Sequence, residues 1–440
     1  MNMSRLFAYG AVGATLILPG CFAQTGFSTL YNFTGQNGDG GQPVGTLAIG
    51  MSGALYGTTA SGGSGPCNVT AVPAGCGTVF ELRPPATAGG AWTENVLYRF
   101  MGQNGDGWSP YGGVVIGKNG RLYGTTLYGG TGCSTWGCGT VFELRPPAVA
   151  GGAWTENVIC SFTGQNGDGA TPVGSLAIGK YGDLYGLTTA GGTSNYGAVY
   201  RLTPPVAAGG AWAETVLHSF AVRSFNLPQG YPSDMSLKIG DGGALYGATA
   251  VGGQEGYGMV FRLSPPEAPS GIWTETELFS FNYGDGSGPS GGVTVGSDGT
   301  LYGSTFSGGT GNCAGDNGCG SVFELTPPAA LGDAWQEAVI CDFGTSCVFP
   351  QGAYPETNVV LGKDGAVYGT AFYVLFALQP PVIPGGNWTA IAIEQFNGGS
   401  GGLQPSGLAI SGDGVIFGTT LQGGLCNYCG TVFRWAPQAK

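Results

Sequence analysis

The sequence predicts an all-β fold, a seven-bladed β-propeller of four-stranded blades, and three observations carry that expectation. One pattern, Leu55-Tyr56-Gly57-Thr58-Thr59 followed by Gly77-Thr78-Val79-Phe80-Glu81-Leu82, returns in near-copies to the end of the chain. Its tyrosine falls at Tyr56, Tyr123, Tyr185, Tyr246, Tyr302 and Tyr368, with Phe417 as the seventh anchor, at spacings of 67, 62, 61, 56, 66 and 49 residues. Glycine supplies 89 of 440 residues without a collagen triplet, and aromatics make up 12%, a mixture that suits short strands joined by tight turns. Four strands at a period of about 60 residues make a blade repeated about an axis. Coils of a β-helix are much shorter, and the 3.6-residue apolar period of helical solenoids is absent.

Three intervals stay constant. An apolar residue lies seven positions before every anchor: Ile49, Ile116, Ile178, Ile239, Val295, Leu361 and Ile410. The third-strand aromatic precedes a tryptophan by 12 in all six complete units, from Phe80/Trp92 to Phe376/Trp388, and each tryptophan precedes a phenylalanine by eight, from Phe100 to Phe396. One inserted residue would turn a strand's side chains to the wrong face, so fixed lengths mark a packed framework. The first strand reads as Val44 to Ile49. A glycine-containing turn (Gly117-Lys118-Asn119-Gly120 in the second unit) leads to the second, Leu55 to Thr59. The third, Thr78 to Leu82, ends at Pro84-Pro85, which cannot donate to a ladder. The fourth, Trp92 to Phe100, alternates in part. The chain stops seven residues after Phe433, before the last unit supplies a tryptophan strand, while Leu30-Tyr31-Asn32-Phe33 matches Leu97-Tyr98-Arg99-Phe100. The N-terminal strand is therefore expected to complete the last blade and close the ring. The propeller domain is expected over residues 27–436.

Two connections vary, and both emerge on one face: the second-to-third-strand loop and the link from one unit to the next. Anchor to third-strand aromatic takes 24, 19, 15, 15, 21, 8 and 16 residues, so the sixth unit has room only for a tight turn. Length variation on one face of a rigid scaffold is how binding surfaces are built, with drift of solvated loops as the alternative. Trp108, Tyr128, Trp136, Tyr196, Tyr257 and Phe306 are the ligand-surface candidates there, since aromatics beside Asn and Gln suit glycans or peptides; packing within the loops is the rival reading.

Only 9% of residues are charged, and the net charge of −12 leaves no basic face for nucleic acid. Residues 1–20 read as a signal segment, with Arg5 ahead of an apolar run from Leu6 to Leu18 too short to span a bilayer. Leu18-Pro19-Gly20-Cys21 resembles a lipobox, with Cys21 lipidated after cleavage; ordinary cleavage after Ala23 would discard that cysteine. Either route exports the chain, to the outer membrane or cell surface as a lipoprotein, otherwise to the periplasm or medium. In that oxidising setting Cys67/Cys76, Cys133/Cys138, Cys313/Cys319, Cys341/Cys347 and Cys426/Cys429 read as short disulfides, leaving Cys160 unpaired and buried. Zinc would need four converging thiolates, and only Cys426/Cys429 has the Cys-x-x-Cys spacing.

The run Leu-Tyr-Gly-Thr-Thr, then Gly-Gly, then Gly-Thr-Val-Phe-Glu-Leu resembles the Gloeo/Verruco (GloVer) tandem repeat of exported, choice-of-anchor bacterial proteins. It is sharpest in the first, second and fifth units and degraded in the sixth, where the Gly-Gly loop is missing. The resemblance implies an exported location, no established activity and no catalytic residues to carry over.

The residues add little chemistry. The one histidine, His218, lies on a fourth strand two residues before Phe220, a poor place for a catalytic triad. Gly288-Pro289-Ser290-Gly291-Gly292 lacks the strand-turn-helix setting of a nucleophile elbow. Gly-Gln-Asn-Gly-Asp-Gly at 35–40, 102–107 and 164–169 presents Asp39, Asp106 and Asp168, with Asp285 similar. These read as Asx-Gly turns. Calcium is the alternative cofactor, and one carboxylate per loop is short of its six to eight oxygens. Glu94, Glu156, Glu214, Glu275 and Glu337, each two after a tryptophan, are expected to form a solvated rim. The apolar first strands (Leu47-Ala48-Ile49) argue against a propeller hydrolase or lyase working at the channel mouth. The expected function is a monomeric, non-catalytic binding scaffold for a surface glycan, peptide or protein, with that enzyme as the alternative.

Overall fold

Each Leu-Tyr-Gly-Thr-Thr run is the second strand of an antiparallel sheet, and seven such four-stranded sheets succeed one another round a ring. The computed structural model describes residues 26–437 except 68–72, 88, 134–135, 150, 208, 222–234, 269–270, 314–317, 331–332, 350–351 and 384. Residues 1–20, expected to be a signal segment, and Cys21 lie outside the described residues. Blade 1 runs Gly40–Ile49, Leu55–Gly62, Thr78–Arg83 and Thr93–Arg99 from the axis outward. Its first strand starts earlier than expected and breaks register between Val44 and Ala48. In blades 2, 4 and 6 the paired part of that strand shrinks to two residues, such as Val115–Ile116. The partial alternation of the fourth strand has a cause. A bulge sits opposite Val79 and Phe80, and it recurs in every one of blades 1 to 6. In blade 6, residues 372–373 alone join Val367–Ala371 to Val374–Gln379.

Ring closure is as expected. Phe27–Asn32 pairs antiparallel with Thr431–Trp435, Phe27 opposite Trp435 and Asn32 opposite Thr431, and becomes the outer strand of blade 7.

The pentapeptide can be read residue by residue. Leu55 is fully buried in the core between blades 7 and 1. The anchor ring leans on the tryptophan of the following blade: Tyr123 on Trp212 at 5.8 Å, Tyr185 on Trp273 at 6.2 Å, Phe417 on Trp92 at 6.3 Å. Its hydroxyl donates within its own blade, Tyr56 to Glu81 Oε1 at 3.0 Å. Glycine follows because a ring fills the space: a Cβ on Gly57 would lie 2.6 Å from Phe80 Cζ, and one on Gly303 2.4 Å from Phe323 Cζ. The first threonine reaches the next blade, Thr58 Oγ1 donating to Gly112 O at 2.8 Å. The second holds the third strand, Thr59 Oγ1 accepting from Thr78 N at 3.1 Å and donating to Ser61 O at 3.0 Å. Every buried hydroxyl so placed is satisfied, as burial demands.

The fixed phenylalanines tie each blade to the next. The last phenylalanine of each blade meets the third-strand ring of the next at all seven junctions, with centroids 5.0 Å (Phe33–Phe80), 5.2 Å (Phe100–Phe142), 4.9 Å (Phe162–Tyr200), 5.6 Å (Phe220–Phe261), 5.1 Å (Phe281–Phe323), 5.5 Å (Phe343–Phe376) and 5.1 Å (Phe396–Phe433) apart. Phe142→Ala is expected to destabilise the chain by about 3–5 kcal/mol, since a buried ring is lost and the cavity has no neighbour free to fill it. Urea unfolding checks this, and a loss below about 1 kcal/mol would remove the junction rings from the framework.

Candidate functional site

The variable loops share one face, and all five expected disulfides lie on it: Cys67–Cys76, Cys133–Cys138, Cys313–Cys319, Cys341–Cys347 and Cys426–Cys429. Among the described residues Cys160 is the free cysteine; its Sγ donates to Glu214 Oε2 at 3.4 Å, and burial pushes the thiol up, so it is an inert filler. The aromatic candidates divide. Trp108 is 8% exposed and stacks under Tyr128 at 4.5 Å and Trp136 at 5.8 Å, so it supports the surface rather than forming it, because its strand Gly107–Trp108 is pinned to Tyr128–Gly129. Tyr128 and Phe306 are half-buried, the latter against Tyr354 at 5.4 Å. Trp136 is 56% exposed, Tyr196 39% and Tyr257 38%, and Tyr428, which the sequence reading passed over, is 47% exposed between Cys426 and Cys429.

The axis is packed. First strands of neighbouring blades approach so closely that a Cβ on Gly112 would fall 2.1 Å from Gly174 O, and one on Gly174 1.9 Å from Met235 O. Asn358 of blade 6 donates to Ser236 of blade 4 at 3.1 Å, skipping the blade between them. Where the first strands begin, one acid stands out. Glu356 is 3% exposed, neither carboxyl oxygen has a hydrogen-bond partner, and burial alone pushes it up to about 8. Tyr111, at the equivalent place in blade 2, is pushed up to about 12 by burial and then by Glu356.

The acidic turns pair with the glutamates. Asp39 Oδ2 accepts from the Thr34 amide and hydroxyl, each at 2.7 Å, and Asp168 holds Thr163 in the same way at 2.6 and 2.5 Å, which is the Asx-type turn expected. The solvated rim is a correction. Glu94, Glu156 and Glu337 are half-buried and Glu214 is more exposed, and the four face Asp39, Asp106, Asp168 and Asp285 across the blade junctions. Burial first, then the neighbouring aspartate, pushes each up to about 7. Asp39 Oδ1 and Glu94 Oε1 are buried without hydrogen-bond partners, as are Asp106 Oδ1 and Glu156 Oε1, so each glutamate is charged only at the cost of burial beside a second carboxyl. The twist of the outer strands brings these groups under the neighbouring blade. At the junction of blades 3 and 4 His218, at the fourth-strand position of Tyr98 and Cys160, brings its Nε2 to 3.4 Å from Glu275 Oε2. Among the described residues no group of three His, Cys, Asp or Glu could hold a metal ion.

A model of the Gloeobacter/Verrucomicrobia repeat matches residues 22–230 and 137–374. The chain belongs to this repeat family. No curated protein matches. Among solved structures, the ring of Gloeobacter/Verrucomicrobia repeats is similar to a fungal alcohol oxidase of the AA5 family in complex with copper (14% identity, 93% of this chain, 76% of that chain, TM-score 0.53). It is also similar to the extracellular domain of BT3049 from B. thetaiotaomicron (12%, 94% of this chain, 41% of that chain, TM-score 0.50) and to the gluconolactonase XC5397 from Xanthomonas campestris (11%, 93% and 89%, TM-score 0.40). Likeness at this level concerns the fold alone. Five disulfides in a repeat family of exported proteins point to an extracellular chain, and no helix among the described residues is long and apolar enough to cross a membrane.

The carboxyl pairs of the Gloeobacter/Verrucomicrobia repeat left a signal in the sequence. The Gly-Asp-Gly turn and the glutamate two after the tryptophan occur together at Asp39/Glu94, Asp106/Glu156, Asp168/Glu214 and Asp285/Glu337, and the sixth unit, with Ala390, lacks both.

Proposed function

We propose that this chain is an exported, non-catalytic binding scaffold whose ligand, a surface glycan, peptide or protein, docks on the variable-loop face. One observation carries the reading. Of the exposed aromatic rings among the described residues, Trp136, Tyr196, Tyr257 and Tyr428 all lie on second-to-third-strand loops, and Tyr181 alone lies on the opposite face. Two of those loops are clipped by disulfides, Cys133–Cys138 around Trp136 and Cys426–Cys429 around Tyr428, so the rings are held in place before a ligand arrives. Such rigid amphipathic rings supply contact area at low entropic cost. Screening residues 24–440 on glycan and peptide arrays tests it. A hit should weaken at least about tenfold (1.4 kcal/mol) in Trp136→Ala and Tyr257→Ala, with melting unchanged. Hits indifferent to both substitutions would move the surface elsewhere. The scaffold acts as a monomer held at the membrane through lipid on Cys21; mass spectrometry of the mature N-terminus distinguishes that from cleavage after Ala23.

The second reading, a hydrolase or lyase at the channel mouth, is favoured by Glu356, a protonated acid without a partner facing Tyr111. Turnover of lactone or aryl-ester substrates that is lost in Glu356→Gln would put this reading first.

A further inference from the structure

We propose that the groove between blades 2 and 3, on the face opposite the variable loops, binds a carboxylated sugar of the uronate class. This groove, of about 370 Å³, is lined by Lys118, Arg121 and Arg145 together with Asn157, Tyr123 and Trp212. Three of the chain's 14 basic residues thus converge in one recess of a protein whose net charge is −12. No other unit repeats the set. The places of Lys118, Arg121 and Arg145 are taken by Met51, Ala54 and Arg83 in blade 1, and by Ser297, Thr300 and Thr326 in blade 5. A larger groove between blades 5 and 6, of about 950 Å³, has Tyr302 and Trp388 at the corresponding points but Glu324 and no basic residue in its lining.

The acid beneath the groove does not cancel the charge. Glu143 has a fully buried side chain and is held by Arg121 Nη1 on Oε1 at 2.5 Å and by Arg145 Nη2 on Oε2 at 2.7 Å. Tyr123 adds a hydrogen bond to Oε1 at 3.2 Å. One carboxylate therefore fixes two guanidiniums, and the two arginines together with Lys118 leave an excess of two positive charges. Each guanidinium keeps N–H donors beyond those spent on Glu143, and a planar fork of such donors matches a carboxylate. The remote negative charge matters little, because at physiological ionic strength it is screened beyond ~8 Å. Beside the cations, Trp212 lines the groove with its indole backed edge-on by the buried Tyr123 ring, centroids 5.8 Å apart, and gives an apolar wall, while the Asn157 amide offers a donor and an acceptor for hydroxyls. A flat ring with hydroxyls and one carboxylate uses all three features. A bare anion leaves the aromatic wall idle, and a neutral sugar leaves the cations unpaired.

The test is calorimetric titration of residues 24–440 with D-galacturonate, set beside D-galactose, benzoate and inorganic phosphate. Arg121 and Arg145 stay in place, since removing either exposes Glu143 as an uncompensated buried charge and endangers folding. Lys118→Glu and Asn157→Asp instead bring negative charge to the groove from residues outside the Glu143 network. The expected result is saturable galacturonate binding that each substitution weakens at least about tenfold (1.4 kcal/mol), that galactose does not reproduce, and that weakens as salt rises. Absence of galacturonate binding, equal binding by the Lys118→Glu chain, or benzoate or phosphate binding as tightly would overturn the assignment. Failure here leaves the loop-face reading untouched, because Trp136 and Tyr257 are on the other face.

Discussion

Deleting residues 26–33 is expected to abolish cooperative folding of the ring. The deletion strips Thr431–Trp435 of its outer partner and leaves a sheet edge with unpaired backbone groups, the usual start of aggregation. It also takes away the rings of Phe33, seated on Phe80 at 5.0 Å, and Phe27, seated on Phe433 at 5.5 Å and Phe396 at 5.8 Å. Each lost ring counts for about 3–5 kcal/mol, and the pair approaches the 5–15 kcal/mol that holds a typical domain together. Circular dichroism melts and size exclusion read the outcome. The same eight residues moved behind residue 437 on a Gly-Ser linker should restore a monomeric ring. A truncated chain that stays monomeric and melts within about 5 °C of the parent would show that closure is dispensable.

The second large effect is on pH. Glu94, Glu156, Glu214 and Glu337 titrate near 7 and Glu356 near 8 in the folded ring, against an ordinary 4.5. A raised carboxyl means that the folded chain holds its proton more tightly than the unfolded chain. The stability this brings is complete below about pH 4.5 and is lost as pH climbs through 7 to 8. Glu143 works the other way. Its two arginines hold it below its ordinary value, so its share is present above 4.5 and lost toward strong acid. The most stable interval is therefore mildly acidic. Solvent screening of the half-buried pairs trims each to roughly 1 kcal/mol, and together they amount to a Tm roughly 5 °C higher at pH 5 than at pH 8.5. Calorimetry across that range checks it, and a Tm that rises from pH 6 to 9 would refute the raised glutamates. Replacing Glu94, Glu156, Glu214 and Glu337 together by glutamine should flatten the profile and raise the alkaline Tm.

Much of this fold is legible because a strand tolerates no insertion: the constant intervals around Tyr56, Phe80, Trp92 and Phe100 are the strands, and the close cysteines are the disulfides. What stayed hidden lies between units. A repeat aligned to itself shows that Tyr123 and Trp212 recur, but not that the ring of one blade seats on the indole of the next. Glu94 looks solvated for the same reason, since its neighbour Asp39 belongs to the preceding turn and only the twist of the outer strands brings them together. For Trp108 the two readings, ligand surface or loop packing, stay open in the sequence because a loop tryptophan carries no mark of the two-residue sheet that folds it under Tyr128. Glu356 and the Lys118, Arg121 and Arg145 groove are single-blade departures from the repeat, and a pattern built on what recurs passes over them.

The pairing of Phe27 with Trp435 also sets a timetable for folding. Blades 1 to 6 are each assembled from neighbouring segments, so they can form in order as the chain emerges. The strand that closes the ring must wait, unpartnered, for some 400 residues, and bringing such distant ends of a flexible chain together costs about 5 kcal/mol of loop entropy. Prior stacking of the intermediate blades reduces that cost by holding the two ends near each other. Closure is thus the last and slowest event, and the open ring that precedes it is the species most exposed to aggregation.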